Sequence, residues 1–269
     1  MNHGLGYSRR VASHRSSYSR AFTWYKLRNA VYNHFVDEAR AGTRVLEVGC
    51  GAGANLQMIN DLSPLTKEIE YYGIDISPKA IEAANDYKNK SDMNNCLFEI
   101  GDAENLKYDD GYFDTVICTE VLEHLLNPRK ALREMYRVLK TGGLSIVTTP
   151  NASNLWKLVG EKRLRDRIEK GVERTAPCQM RDNRYGHIST MRSKELLSIC
   201  RETGFRIEKA TKGSIVYGLP FYDRHQVLFA LLLILDWILD RMPRNYVFGW
   251  GIVTTLRKAD THWRNTDIG

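Results

Sequence analysis

The sequence predicts an α/β protein, a parallel sheet with helices on both faces. Three observations carry this. Short apolar runs alternate with helical stretches along residues 40–150. The first run ends in a glycine-rich turn, Gly49-Cys-Gly-Ala-Gly53. Apolar residues make up 43% of the 269-residue chain, enough for a sizeable core.

Each element follows from its residues. A helix is expected over 22–40, with Phe22, Tyr25, Ala30 and Phe35 as an imperfect apolar stripe. Arg44–Val48 is a strand, and Asn55–Leu62 a helix stopped by Ser63-Pro64. Tyr71–Ile76 is the second strand. Ser77 then caps a helix with Pro78 at its first position, running to about Lys88. Cys96–Ile100 and Phe113–Cys118 are strands three and four, and 120–126 a short helix. Pro128 opens a helix with Ala131, Leu132, Met135, Val138 and Leu139 on one face, ended by Thr141-Gly-Gly. Leu144–Thr149 is strand five. Residues 151–190 form a basic insertion or lid with a helix at 155–170. Ser193 is read as the cap of a helix reaching Thr203, stopped by Gly204. Phe205–Lys209 is strand six and Val247–Leu256 the last. Seven Pro and twenty Gly exclude collagen-like or low-complexity architecture.

Net charge is +7, unevenly distributed. Residues 1–44 carry +6, 45–150 carry −7 and 151–269 carry +8. Basic flanks suit anionic partners. Residues 1–21 read as a flexible basic arm without the apolar core of a secretory signal, and 22–269 as the folded domain. Five widely spaced Cys without a CxxC pair argue against a disulfide scaffold or a cysteine zinc site. A cytoplasmic location is expected.

Glycines in the turn let the backbone approach a ligand. Alone they fit a dinucleotide fold equally well. Three acids sharpen the signal: Glu47 before the turn, Asp75 closing strand two, and Asp102 after strand three. An acidic, glycine-lined crevice suits a cationic ligand, and a nucleotide diphosphate would prefer basic groups there. Asp114, opening strand four, is read as structural.

These residues, with Gly101-Asp102-Ala103, Phe113–His124 and Leu139–Leu144, resemble the class I S-adenosylmethionine (SAM)-dependent methyltransferases over about residues 40–210. The resemblance implies a Rossmann-like, seven-stranded, mostly parallel sheet, with the last strand antiparallel between strands five and six. It implies that Glu47, Gly49, Gly51 and Gly53 face the methionine part of SAM. Asp75 would hold the ribose hydroxyls, Asp102 and Ala103 would frame the adenine, and Ile76 and Thr119 complete the cofactor-facing set.

Glu120, Glu123 and His124 follow strand four. On a helix these positions share one face. With His187 at the end of the insertion they are expected to offer a divalent metal site, for Mg2+ or Zn2+. Similar sets stand in the ubiquinone-biosynthesis O-methyltransferases and in small-RNA 2′-O-methyltransferases, whose acceptors carry adjacent hydroxyls. Without a metal, His124 or His187 is the expected general base, with Glu123 in support.

Residues 225–242 are too short and interrupted to span a bilayer, yet very apolar. One reading is a membrane-surface contact or a lid over a lipid-like substrate, flanked by Arg224, His225, Arg241 and Arg244. The other is burial against the sheet or in a dimer. The basic run Lys157–Arg174 suits headgroups, a phosphorylated substrate or RNA, but has little aromatic interleaving. The expected function is methyl transfer from SAM to a hydroxyl of a small hydrophobic or lipid-linked acceptor, at or near a membrane surface. Metal-assisted RNA 2′-O-methylation is one alternative, although no RNA-binding module is visible. A SAM-binding module without catalysis is the other.

Overall fold

The computed structural model describes residues 31–33, 35, 39–62, 67–152, 188–215, 226–247 and 249–259. The expected insertion helix, the basic arm, the Lys157–Arg174 run and His187 lie outside them. Helical residues at 31–33 and 35 precede the sheet, with Val31 and Phe35 buried.

The elements run β1 (Arg44–Val48), α1 (Ala54–Leu62), β2 (Glu70–Asp75), α2 (Pro78–Lys90), β3 (Cys96–Ile100), β4 (Phe113–Thr119), α3 (Pro128–Val138), β5 (Leu139–Pro150), α4 (Ser193–Thr203), β6 (Phe205–Lys212), α5 (Gln226–Leu239) and β7 (Gly251–Lys258). They form one sheet in the order β3-β2-β1-β4-β5-β7-β6. Strands 1–5 are parallel, and β7 pairs antiparallel with both β5 and β6. The expected sheet is therefore observed, including the placement of the last strand.

Two cores form because strand side chains alternate between faces. Leu46 and Val48 point into a cluster with Leu132, Met135 and Leu196 from α3 and α4. Val45 and Tyr71 point into one with Leu56, Ile59, Ile81 and Ala84 from α1 and α2. Local chemistry sets the helix ends. Ser77 Oγ accepts from the Ala80 N–H at 3.3 Å, and Asn127 Oδ1 from the Lys130 N–H at 3.0 Å, each before a proline. Gly204 stops α4 with φ +107°. Asp114 joins strands, accepting from the Arg44 N–H at 2.9 Å and Lys140 Nζ at 2.6 Å.

Four local expectations are corrected. Residues 120–126 are not a helix: Glu120 has φ +56° and only Leu122–His124 form a single 3₁₀ turn. The chain is already extended from Leu139, because Leu139 pairs with Phe113 across a bulge that absorbs Gly142 and Gly143. Ser193 lies inside α4, after Arg192 at the cap. Its hydroxyl donates instead to the Tyr246 carbonyl at 3.2 Å. The last strand begins at Gly251, not Val247. Buried Asn151 donates to the carbonyls of Tyr246, Val247 and Gly249, and Asn245–Val247 form a 3₁₀ turn rather than strand.

Candidate active site

Parallel register brings the ends of five strands to one edge. Val48 pairs with Ile74 and Cys118, Asp75 with Ile100, and Thr119 with Thr148. The residues that follow, Gly49–Gly53, Ile76, Asp102 and Glu120, therefore share that edge. It is the point where the strand order reverses about β1 and β4, the usual ligand crevice of such sheets.

The glycine turn is built for close approach. Gly49 and Gly51 have φ +71° and +52°, a region an L side chain enters at a cost. A Cβ on Gly49 would stand 2.2 Å from Val121 Cγ2, so the loop after β4 seats directly on the turn. A Cβ on Gly51 would meet no atom within 4 Å, so Gly51 presents bare backbone to the crevice.

Asp75 is aimed by two backbone donors. Its Oδ2 accepts from the Gly51 N–H and its Oδ1 from the Ser77 N–H, both at 2.9 Å. Each oxygen keeps a lone pair for a further donor. Ile76 beside it is 62% exposed, an apolar surface at a polar edge. Asp102 is exposed and accepts from the Glu104 N–H at 2.8 Å, while Ala103 is buried. The loop carrying them is tied to α3 by the Arg137 guanidinium, which donates to the Leu106 and Tyr108 carbonyls and to Glu134 and Asp110. That pairing holds the Glu134 carboxyl below its usual range.

Glu47 behaves differently from a surface acid. It is 1% exposed. Its Oε1 accepts from Asn55 Nδ2 at 2.6 Å, and its Oε2 from the Tyr71 hydroxyl in a short bond. Asn55 Nδ2 also reaches Thr119 Oγ1 at 2.9 Å. Glu47 thus acts on the turn from beneath, stitching β1, α1, β2 and β4 together. Burial and the neighbouring Glu47 and Asp75 push the Cys50 thiol up, so it stays neutral.

On the β4 side two carboxyls sit close together. Glu120, half-buried, accepts from Thr148 Oγ1 at 2.9 Å, and Glu123, 1% exposed, from Thr149 Oγ1 at 3.1 Å. Burial raises both above the ordinary carboxylate range, and the negative charge of Glu120 raises Glu123 further. His124 Nε2 lies 3.8 Å from Glu123 Oε1, with the imidazole about one-third exposed (32%). The Ile188 and Ser189 N–H groups donate to the Glu123 carbonyl at 2.9 and 3.0 Å. The chain after the insertion therefore docks on this turn.

Glu120, Glu123 and His124 do not form a metal-binding group, and His187 lies outside the described residues. The one-face argument required a helix at 120–124, and the positive φ of Glu120 removes it. Glu120 and Glu123 each turn onto a threonine of β5. No group of three or more metal-binding side chains forms among the described residues. Sequence reasoning missed Asn55, Tyr71, Thr148 and Thr149. The threonines had a legible signal: two adjacent hydroxyls ending an apolar strand need partners when buried.

The edge fits SAM in its chemistry. A carboxylate with free lone pairs suits a ribose diol, an apolar shelf and an exposed acid suit an adenine, and a turn that a Cβ would obstruct suits close backbone approach. Known proteins agree. The methyltransferase domain family matches residues 39–204, and the chain belongs to it. Among curated relatives, the 27-O-demethylrifamycin SV methyltransferase of Amycolatopsis mediterranei is 38% identical over 108 residues, 39% of this chain and 37% of that protein. The norajmaline N-methyltransferase of Rauvolfia serpentina is 30% identical over 126 residues, 46% and 41% of the two chains. The ubiquinone biosynthesis O-methyltransferase of Alkalilimnicola ehrlichii is 31% identical over 134 residues, 49% and 52%. These matches span between 37% and 52% of the relatives' lengths. The crystal structure of YcgJ from Bacillus subtilis shares the fold, with a TM-score of 0.56 at 19% identity over 87% of this chain and 98% of that one. The class is therefore that of the class I, SAM-dependent methyltransferases.

Proposed function

We propose that this protein transfers a methyl group from SAM to a hydroxyl of a small hydrophobic or lipid-linked acceptor. The observation that carries the reading is the Asp75 carboxylate, fixed by Gly51 and Ser77 N–H groups beside a turn that presents bare backbone. Asp75, Ile76, Asp102 and Ala103 would hold the nucleoside, and the glycine turn the methionine portion. SAM supplies an electrophilic methyl on a sulfonium centre.

The chain's part is to orient the acceptor and take up its proton. An acceptor oxygen displaces the thioether sulfur at the methyl carbon, and the C–S bonding pair leaves with sulfur. The oxygen's proton must then go to a base. His124 is partly exposed in the turn that follows β4, and an imidazole nitrogen can accept that proton. Glu123 is too buried to touch an acceptor, so it serves as a positioning group for His124. Proton acceptors at this edge favour a hydroxyl, which must lose its proton. The O-methyltransferases among the relatives support the same choice, while the N-methyltransferase marks the competitor.

The test is labelled-methyl transfer from SAM into a cell extract, followed by organic–aqueous partition, alongside SAM binding by calorimetry. Wild type should bind SAM and place base-stable label in the organic phase. Asp75→Ala should lose both, and His124→Ala should lose turnover while still binding. SAM binding with no transfer would make the chain a binding module. Label confined to the aqueous phase would overturn the hydrophobic acceptor.

A further inference from the structure

Helix α5 is built inside out. Its only ionisable residue is Asp236, and Asp240 follows directly after it. Both reach inward to Lys212 of β6, whose side chain is fully buried. Asp236 accepts from Lys212 Nζ in a short bond and from the Ile215 N–H at 2.8 Å. Asp240 Oδ1 is 2.9 Å from the same Nζ. Lys212 is held in turn by its N–H donating to Asn245 Oδ1 at 3.1 Å. Leu239 packs inward on Ile215, with Phe229, Leu232 and Leu233 partly buried beside them.

This clamp fixes which side of α5 faces out. At about 100° per residue, Asp236 marks the centre of the inward arc. The opposite half carries Val227, Leu231, Ile234, Leu235 and Ile238, between 39% and 77% exposed. No polar side chain interrupts it from 227 to 238. At its C-terminal end Trp237 is 57% exposed, with the Arg241 guanidinium 3.4 Å from the ring centroid. Arg244 follows.

We infer that the outward face of α5 seats the protein on an anionic lipid bilayer, parallel to its surface. The helix has 14 residues, about 21 Å of length against a hydrocarbon core of about 30 Å. No helix among the described residues is long and apolar enough to cross a membrane. An apolar face that ends in a tryptophan under an arginine matches the headgroup boundary, where an amphipathic ring and a cation both find partners. The cations at that end complement anionic headgroups, as does the +8 charge of residues 151–269. The buried Lys212–Asp236 clamp ties this surface rigidly to β6, in the same sheet as the site edge. The inference stands apart from the methyl-transfer reading, since it uses none of the cofactor-facing or proton-accepting residues named above.

Flotation of the full chain with vesicles on a density gradient tests it, with light scattering of the lipid-free protein run in parallel. Wild type should float with phosphatidylglycerol vesicles, less with phosphatidylcholine, and less again as salt rises. Leu231→Glu with Ile234→Glu should abolish flotation while melting temperature and SAM binding stay unchanged, because both side chains are exposed. Arg241→Gln and Arg244→Gln should each weaken partition about fivefold. Wild type staying at the bottom as a dimer would overturn the inference in favour of a second copy covering the face. Wild type staying there as a monomer would overturn it too, in favour of a cover from this same chain. A double-Glu variant that still floats would place lipid contact elsewhere and refute the role of α5.

Discussion

Gly49→Ala separates two costs that the structure sets out individually. The first is backbone strain, since φ at Gly49 is +71° and an L residue there costs about 1–2 kcal/mol. The second is collision. The new Cβ would lie 2.2 Å from Val121 Cγ2, against an ordinary carbon contact of about 3.5–4.0 Å. Relieving such overpacking costs about 1–3 kcal/mol. Together these give about 2–5 kcal/mol, and at about 2–4 °C per kcal/mol a central value of about 3 kcal/mol lowers Tm by roughly 6–12 °C. Val121→Ala removes both Cγ atoms and leaves only a Cβ at 3.3 Å, a contact a small shift can relieve. In that background Gly49→Ala should cost only the backbone share, about 1–2 kcal/mol. Thermal and urea unfolding of the two single variants and the double variant close the cycle. Equal penalties in both backgrounds, within about 0.5 kcal/mol, would show that the loop after β4 does not bear on the turn. A Gly49→Ala protein melting with wild type would refute the strained turn altogether.

Gly51→Ala should behave in the opposite way: its Cβ meets nothing, so stability falls by only about 1–2 kcal/mol while SAM affinity drops more than tenfold by calorimetry. Unchanged affinity would move the cofactor away from the turn. The Glu120–Glu123 pair predicts a pH trend. A carboxyl whose folded pKa lies above its unfolded value binds its proton more tightly in the native state, so its contribution is present below the ordinary carboxylate range and is lost as pH rises toward neutrality and beyond. Glu123→Gln should therefore flatten the fall in Tm between about pH 5 and 8, and an unchanged slope would assign it to other groups. Lys212→Met leaves Asp236 buried without its ammonium partner and should cost about 3–5 kcal/mol in urea unfolding, with Lys212→Met/Asp236→Leu recovering much of it. A loss below about 1 kcal/mol would mean that the clamp does not anchor α5.

Strand and helix identity was legible because it rests on local periodicity and local caps. The strands of the sheet core and Ser77-Pro78 needed only their own neighbours, and so did Gly204, whose left-handed conformation suits glycine. The glycine turn and the spacing of Asp75 and Asp102 were legible for a related reason, since strand ends in a parallel sheet fall at one edge. Segments ruled by distant partners were misread. Ser193 looks like a cap in isolation, but it lies beside Asn151 and Tyr246, so its hydroxyl bonds across the fold. Glu120, Glu123 and His124 have helical spacing, but the loop must turn sharply at Glu120 to lay Val121 on Gly49. That backbone reversal removes the shared helical face on which Glu120, Glu123 and His124 were expected to converge.

By itself, the order of apolar runs, glycines and acids determined the α/β class and the strand ends at which the turn and the acids fall, while the strand order followed from the family resemblance. The class and those strand ends depend on interactions within a few positions and on the register that parallel pairing imposes. Only the tertiary structure decided what the acids do. Glu47 is sealed beneath the turn by Asn55 and Tyr71, Asp75 is turned outward by two N–H groups, and Glu120 and Glu123 are claimed by β5 threonines. It also decided which face of α5 is free, because Asp236 finds its counter-ion 24 residues away on β6. A carboxyl's role is set by its burial and its partners, and those are contacts between segments that the linear sequence leaves far apart.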